Sequence, residues 1–176
     1  MKNKVKPIYH ILLFITFSFS YGNQVFGQEK VNISAGIGLP ELLNIGVRYQ
    51  LDQAQIGLSI GSMPVKDESL ISLSGDFYYH FGGSSKFSDI RPWYGRIGLN
   101  YVRDETETSV DKYLYLILRI GRDFNLSKKF GINIDAGLGP QLFHDEIMKK
   151  PSTSWFNLDF EFPVIPALGI CLFYRI

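Results

Sequence analysis

Residues 168–176 read LGICLFYRI, and every second one is apolar: Leu168, Ile170, Leu172, Tyr174 and Ile176. Successive side chains of a β-strand point to opposite faces, so this row is one face of one strand. Chain ends are ordinarily frayed and polar. A wholly apolar face that runs to residue 176 must rest against something apolar.

The same period of two runs through the rest of the chain. KVNISAGIGL sets Val31, Ile33, Ala35, Ile37 and Leu39 against Asn32, Ser34, Gly36 and Gly38. NIGVRYQL, QIGLSIG, ISLSGDFYYHF, WYGRIGLNY, KYLYLILRIG and GINIDAGLGPQL repeat the arrangement. Strict alternation over such lengths is the signature of a half-buried strand. With the closing stretch this predicts eight strands, each of about ten residues. Between them lie LPE, LDQ, SMPVKDES, GGSSKFSDIRP, RDETETSVD, NLSKK and HDEIMKKPSTS. Connectors this short imply antiparallel up-and-down pairing. From Phe156 the alternation stays in phase into the last strand, so that strand either projects or bends at Pro163 and Pro166.

The chain has 176 residues and a net charge of +1, which gives no electrostatic pull toward nucleic acid. The lone Cys171 excludes an internal disulfide and reads as a small packed interior residue. Residues 1–27 begin with Lys2, Lys4 and Lys6, continue with an apolar run and end on small residues. That is the order of a cleaved secretory signal, and the run is too short to span a bilayer. A single all-β domain is expected over residues 28–176.

Eight antiparallel strands with one apolar face suggest a closed barrel, since closure removes unpaired edges. Period alone does not say which face is inside. A lipocalin-like carrier is apolar within; an outer-membrane barrel is apolar outside. Three features choose the second. The polar face carries small residues and isolated charges, namely Arg48, Asp76, Arg96, Arg119, Asp135 and Arg175. This suits the filled interior of a narrow barrel better than a solvated surface. Tyr49, Tyr79, Phe81, Trp93, Tyr101 and Tyr174 flank the aliphatic rows, as interfacial aromatics do. The third feature is the closing apolar row itself.

With these features the chain resembles the small Gram-negative outer-membrane β-barrels of the OmpA type. The resemblance implies an eight-stranded transmembrane barrel in the outer membrane, in contact with its lipid. It also implies that Gly169, Leu172, Tyr174 and Ile176 form the terminal signal read by the barrel-assembly machinery. Ile176 stands where the family commonly has Phe. These motifs are architectural and do not specify an activity.

Eight strands leave an interior only wide enough for side chains, which argues against a diffusion pore. The four arginines are expected to pair with Asp76 and Asp135, with Asp123, Asp159 and Glu161 as further acids, because unpaired buried charge is costly. His80, and His144 beside Asp145 and Glu146, are the histidines a catalytic site could use. No serine has a diagnostic context such as G-x-S-x-G, and no third ligand suggests a metal. No cofactor is implied. The expected function is non-enzymatic: envelope structure, adhesion or an accessory role in a surface complex. The alternatives are a lipid-modifying barrel enzyme or a lipocalin-like carrier. Lys149, Lys150, Trp155 and Phe156 could meet lipopolysaccharide phosphates or a protein.

Overall fold

A computed structural model describes residues 30–65, 68–149 and 163–176. The expected signal (1–27), Lys150, Trp155, Phe156, Asp159 and Glu161 lie outside the described residues. The strands are β1 (Val31–Leu39), β2 (Leu42–Leu51), β3 (Ala54–Val65), β4 (Glu68–Gly82), β5 (Trp93–Glu105), β6 (Ser109–Asn125), β7 (Phe130–Met148) and β8 (Val164–Arg175). Each pairs antiparallel with its sequence neighbour, and β8 returns to β1, so the sheet is a closed eight-stranded up-and-down barrel. The closing seam runs from Asn32 opposite Arg175 to Leu39 opposite Leu168.

Two ends are distinguished by connectivity. The start of β1, the end of β8 and the β2–β3, β4–β5 and β6–β7 connections share one end, called here the base. The β1–β2, β3–β4, β5–β6 and β7–β8 connections share the other, the mouth.

The strands are far less uniform than the alternation suggests. β1 has 9 residues, whereas β6 has 17 and β7 has 19. The segments expected as the connectors SMPVKDES, RDETETSVD and HDEIMKK are largely strand. Once a hairpin is paired, each added residue satisfies its backbone groups in the ladder, so pairing runs on past the apolar rows. The ladder ends in a short turn where Thr106 N donates to Ser109 O at 2.9 Å. The wall is therefore tall along β5–β7 and low at β1–β2.

One irregularity corrects the phase. In β7, Gln141 pairs with Tyr115 and Phe143 with Leu114, which leaves Leu142 unpaired in a bulge. A bulge inserts one residue into one strand, so faces exchange beyond it. Leu142 and Phe143 both point outward, and His144 comes to lie opposite the inward Tyr113.

The apolar rows face out. Ile45, Leu58 and Ile120 are 64, 62 and 61% exposed, and the closing row from Leu168 to Ile176 is exposed throughout. The opposite faces carry Asn32, Ser34, Gln55, Ser72, Ser74, Asn100 and Asn133, all buried. The outward apolar stretch of β5 runs from Trp93 to Tyr101, close to the ~9–11 residues of a tilted membrane-crossing strand.

Candidate functional site: lumen, mouth and outer belt

The lumen is layered. At mid-height, five side chains from five places converge: Glu41 from the β1–β2 turn, Asp76 from β4, Arg96 from β5, Arg119 from β6 and Asp135 from β7. Arg96 grips Asp76 with two bonds, Nε to Oδ1 at 2.9 Å and Nη2 to Oδ2 at 2.8 Å. Its Nη2 also donates to Glu41 Oε1 at 2.7 Å, and Nη1 lies 3.5 Å from Asp135 Oδ2. Arg119 donates to Glu41 Oε2 at 2.5 Å, to Asp135 Oδ1 at 2.8 Å and to the Leu39 carbonyl. Tyr94 adds its hydroxyl to Asp135 Oδ2 at 3.1 Å. The planar guanidinium suits such two-sided gripping, and each partner supplies opposite charge to a buried site.

The sequence expectation places six residues in this interior, and all six are buried: Arg48, Asp76, Arg96, Arg119, Asp135 and Arg175. They do not form one cluster. Arg48 makes no ion pair among the described residues. It lies over the Tyr78 ring at 4.4 Å from the centroid. With the Asn133 amide oxygen turned toward it, that oxygen accepts from both Arg48 terminal nitrogens, at 3.0 and 3.1 Å. Arg175 sits lower, 4.0 Å from Asp123 and over the Phe173 ring at 4.7 Å. Arg48 shares a cross-strand row with Asp76 through Gly57, but its guanidinium is taken up by Tyr78 and Asn133, while Arg175 turns to Asp123 and Phe173.

Glu41 is the residue that sequence reasoning misses. It belongs to the connector LPE, yet it is buried and bridges Arg96 to Arg119. The turn bends inward to achieve this. Leu42 adopts a φ of 65°, a left-handed conformation that costs a β-carbon-bearing residue about 1–2 kcal/mol. Gly61 on β3 makes room, since a Cβ there would overlap the Glu41 carbonyl. The signal was arithmetic: the arginines outnumbered the aspartates, so a further acid was required. The buried charges now balance, with Arg48, Arg96, Arg119 and Arg175 against Glu41, Asp76, Asp123 and Asp135.

Space beside the charged layer is small. A cavity beside Arg96, Arg119 and Glu41 measures about 20 Å³, room for about one water. Above the charged layer Asn100 donates to Ser72 and Ser74 at 2.7 and 2.5 Å. Above that the lumen becomes apolar, where Val102, Tyr115, Ile117 and Ala167 form a buried cluster with Leu70, Tyr113 and Ile165 packed on it.

The histidines occupy opposite ends. His80 is buried near the base with Nδ1 2.7 Å from the Arg91 carbonyl. His144 stacks on Tyr113 at 4.5 Å near the mouth, with Nε2 3.4 Å from Asp111 Oδ1. Ser109 Oγ donates to the other oxygen of Asp111 at 2.9 Å. The carboxylate thus stands between serine and imidazole, whereas a base that activates a serine must touch it. Among the described residues, no three His, Cys, Asp or Glu side chains gather as a metal site. Cys171 is partly buried, its Sγ 4.0 Å from Asn44 Oδ1.

The outward aromatics gather unevenly. Tyr49, Tyr79, Phe81, Trp93 and Tyr174 all lie toward the base, joined by Phe124 and Phe130, and Tyr101 alone of the expected six lies toward the mouth. Cations accompany the base girdle: Arg122 over Trp93 and Phe124, and Lys129 over Tyr174. The ends also differ in charge. Among described side chains outside the lumen, the base has Lys30, Lys86, Arg91, Arg122, Lys128 and Lys129 against Asp52 and Asp89. The mouth has Asp104, Glu105, Glu107, Asp111, Asp145 and Glu146 against Arg103, Lys112 and Lys149. Lys149 is engaged at the rim, with Nζ 2.6 Å from Glu105 Oε1 and 3.0 Å from the Thr106 carbonyl.

No family model, curated protein or solved structure matches this chain.

Proposed function

We propose that the protein is a non-enzymatic integral outer-membrane β-barrel with a filled, charge-balanced lumen. It acts in envelope structure, adhesion or as an accessory of a surface complex through its mouth. The observation that carries this reading is the inversion of faces. Aliphatic side chains cover the outside of a closed sheet while arginines and carboxylates fill the inside. In lipid every backbone polar group must be paired within the structure, and a closed barrel meets that demand. A carrier of an apolar ligand needs the reverse arrangement. The base girdle, with its cations, suits the level of phospholipid headgroups. The lumen, crossed by ion pairs at mid-height and filled by apolar side chains above them, suits a structural or interaction role better than passage of solutes.

The test is fractionation of cells expressing the protein, followed by a gel with and without boiling. A detergent-extracted outer-membrane band whose mobility shifts on heating is expected. A soluble band without a shift overturns the reading. Leu58→Arg, on the outward face, sharpens the test: a charge facing mid-bilayer lipid costs roughly 2–4 kcal/mol, so the folded, heat-shifting band should diminish.

A further inference from the structure

The outer surface of β4–β7 carries a groove of about 540 Å³ whose walls include Phe77, Tyr79, Ile97, Leu118 and Leu138. Its floor comes from one cross-strand row, Tyr79–Gly95–Ile120–Ala136, in which the second and fourth members are small. Nothing in the fold asks for glycine at 95. A Cβ there would meet no atom within 4 Å, and its φ is not in the left-handed region. Glycine weakens a strand interior, so its place here points to something that lies against the backbone.

The next row toward the base is Trp93–Arg122–Ile134. Arg122 is exposed and held between two rings, 5.3 Å from the Trp93 centroid and 5.2 Å from that of Phe124. Among the described residues no carboxylate pairs with it. A guanidinium oriented by flanking rings, one step from the end of an apolar groove and at the level of the aromatic girdle, matches a phosphate diester carried on a hydrocarbon chain.

We propose that this groove binds one anionic glycerophospholipid, its phosphate at Arg122 and an acyl chain laid over Gly95 and Ala136. The inference rests on the membrane reading above. Charge argues for lipid over a second copy of the chain: a twofold contact through the groove would bring Arg122 toward its own counterpart, and among the described residues the groove's own rows carry no acid to offset it. A second outward groove gives an internal control. It lies around Gly75, walled by Leu58, Leu73, Leu99 and Tyr101, and the cations on its next row toward the mouth, Arg103 and Lys112, are each paired with an acid, Glu105 and Asp145.

The experiment is native mass spectrometry of the detergent-purified full chain, titrated with phosphatidylglycerol or phosphatidylcholine of matched acyl chains. The wild type is expected to carry one phosphatidylglycerol in preference to phosphatidylcholine. Arg122→Gln should lower phosphatidylglycerol occupancy about tenfold, the scale of one charge-assisted hydrogen bond, and lower that of phosphatidylcholine, whose choline offsets the phosphate charge, by less. Gly95→Leu, or Ala136→Leu should the first fail to fold, should remove both adducts, and Gly75→Leu neither. Heat-shift gels establish that each variant is folded. Equal adducts in every variant mean unspecific annular lipid and overturn the proposal, as does a lipid-free two-copy species. A chain that stays soluble without detergent refutes the membrane reading instead, so the two failures are distinguishable.

Discussion

The middle of the lumen and its mouth solve the same problem by opposite means. At mid-height, charges from the β1–β2 turn and from β4 to β7 cross-link the wall through short bonds among Glu41, Asp76, Arg96, Arg119 and Asp135. At the mouth, Val102, Tyr115, Ile117 and Ala167 fill the space by apolar contact. The charged layer is directional: each group has few alternatives, and loss of one partner strands another in a buried site. The apolar layer is adaptable, because methylene contacts are individually weak and interchangeable. On the membrane reading proposed above, the exterior has little apolar contrast with which to hold the wall together. Fixed ion pairs across the lumen supply that contrast.

The comparison predicts unequal sensitivity. Asp76→Asn removes one charge from the grip of Arg96 and should cost about 3–5 kcal/mol, read as a lower urea midpoint for the heat-shifting form. The double replacement Arg96→Met with Asp76→Leu should be milder than the two single losses combined, since no charge is then left stranded. Additive losses would mean that the pair is not coupled. Ile117→Val, in the mouth cluster, should cost about 1 kcal/mol on the same assay. A loss as large as that of Asp76→Asn would erase the distinction between the layers.

The rim should matter least. Glu105 sits at the exposed mouth, and the hydrogen bond from Lys149, then the charges of Arg103 and Lys149, hold its carboxyl below the usual range. A depressed carboxylate contributes above its unfolded pKa, and the contribution fades as pH falls through the lowered value. Solvent screens so exposed a pair. Lys149→Gln should therefore leave the urea midpoint at neutral pH unchanged, and a clear drop would mean that the rim bears on barrel stability.

Much of the barrel was legible because alternation is a local property. On β6 the row Tyr113, Tyr115, Ile117, Arg119 was separable from Leu114, Leu116, Leu118, Ile120, and the structure sets the two rows on opposite faces. What alternation does not carry is height. It placed Ile117 and Arg119 on one face without showing that one belongs to an apolar mouth and the other to a charged waist, because their depth depends on which neighbours stand beside them. The bulge at Leu142 escaped for a related reason: one extra residue exchanges the faces, yet both phases of QLFHDEI offer apolar residues. Glu41 escaped because a connector's direction is set by the strained backbone at Leu42 and the missing side chain of Gly61, neither of which leaves a periodic trace. The Arg122 groove was equally silent, since Arg122 and Phe124 lie on β6 and Trp93 on β5, and their meeting depends on the register between the two strands.

The seam that joins β1 to β8 also governs the order of events in folding. Every other pairing joins sequence neighbours and can zip from a nearby turn, whereas Asn32 must find Arg175 across the length of the described chain. Contacts of such long range are slow to form, because chain entropy is lost before the bonds return it. Until that encounter, two strand edges and the whole aliphatic exterior stand open to aggregation. Circularly permuting the chain at the β4–β5 connection would turn the seam into a hairpin and relocate that late, vulnerable step, while leaving every native contact of the seam in place.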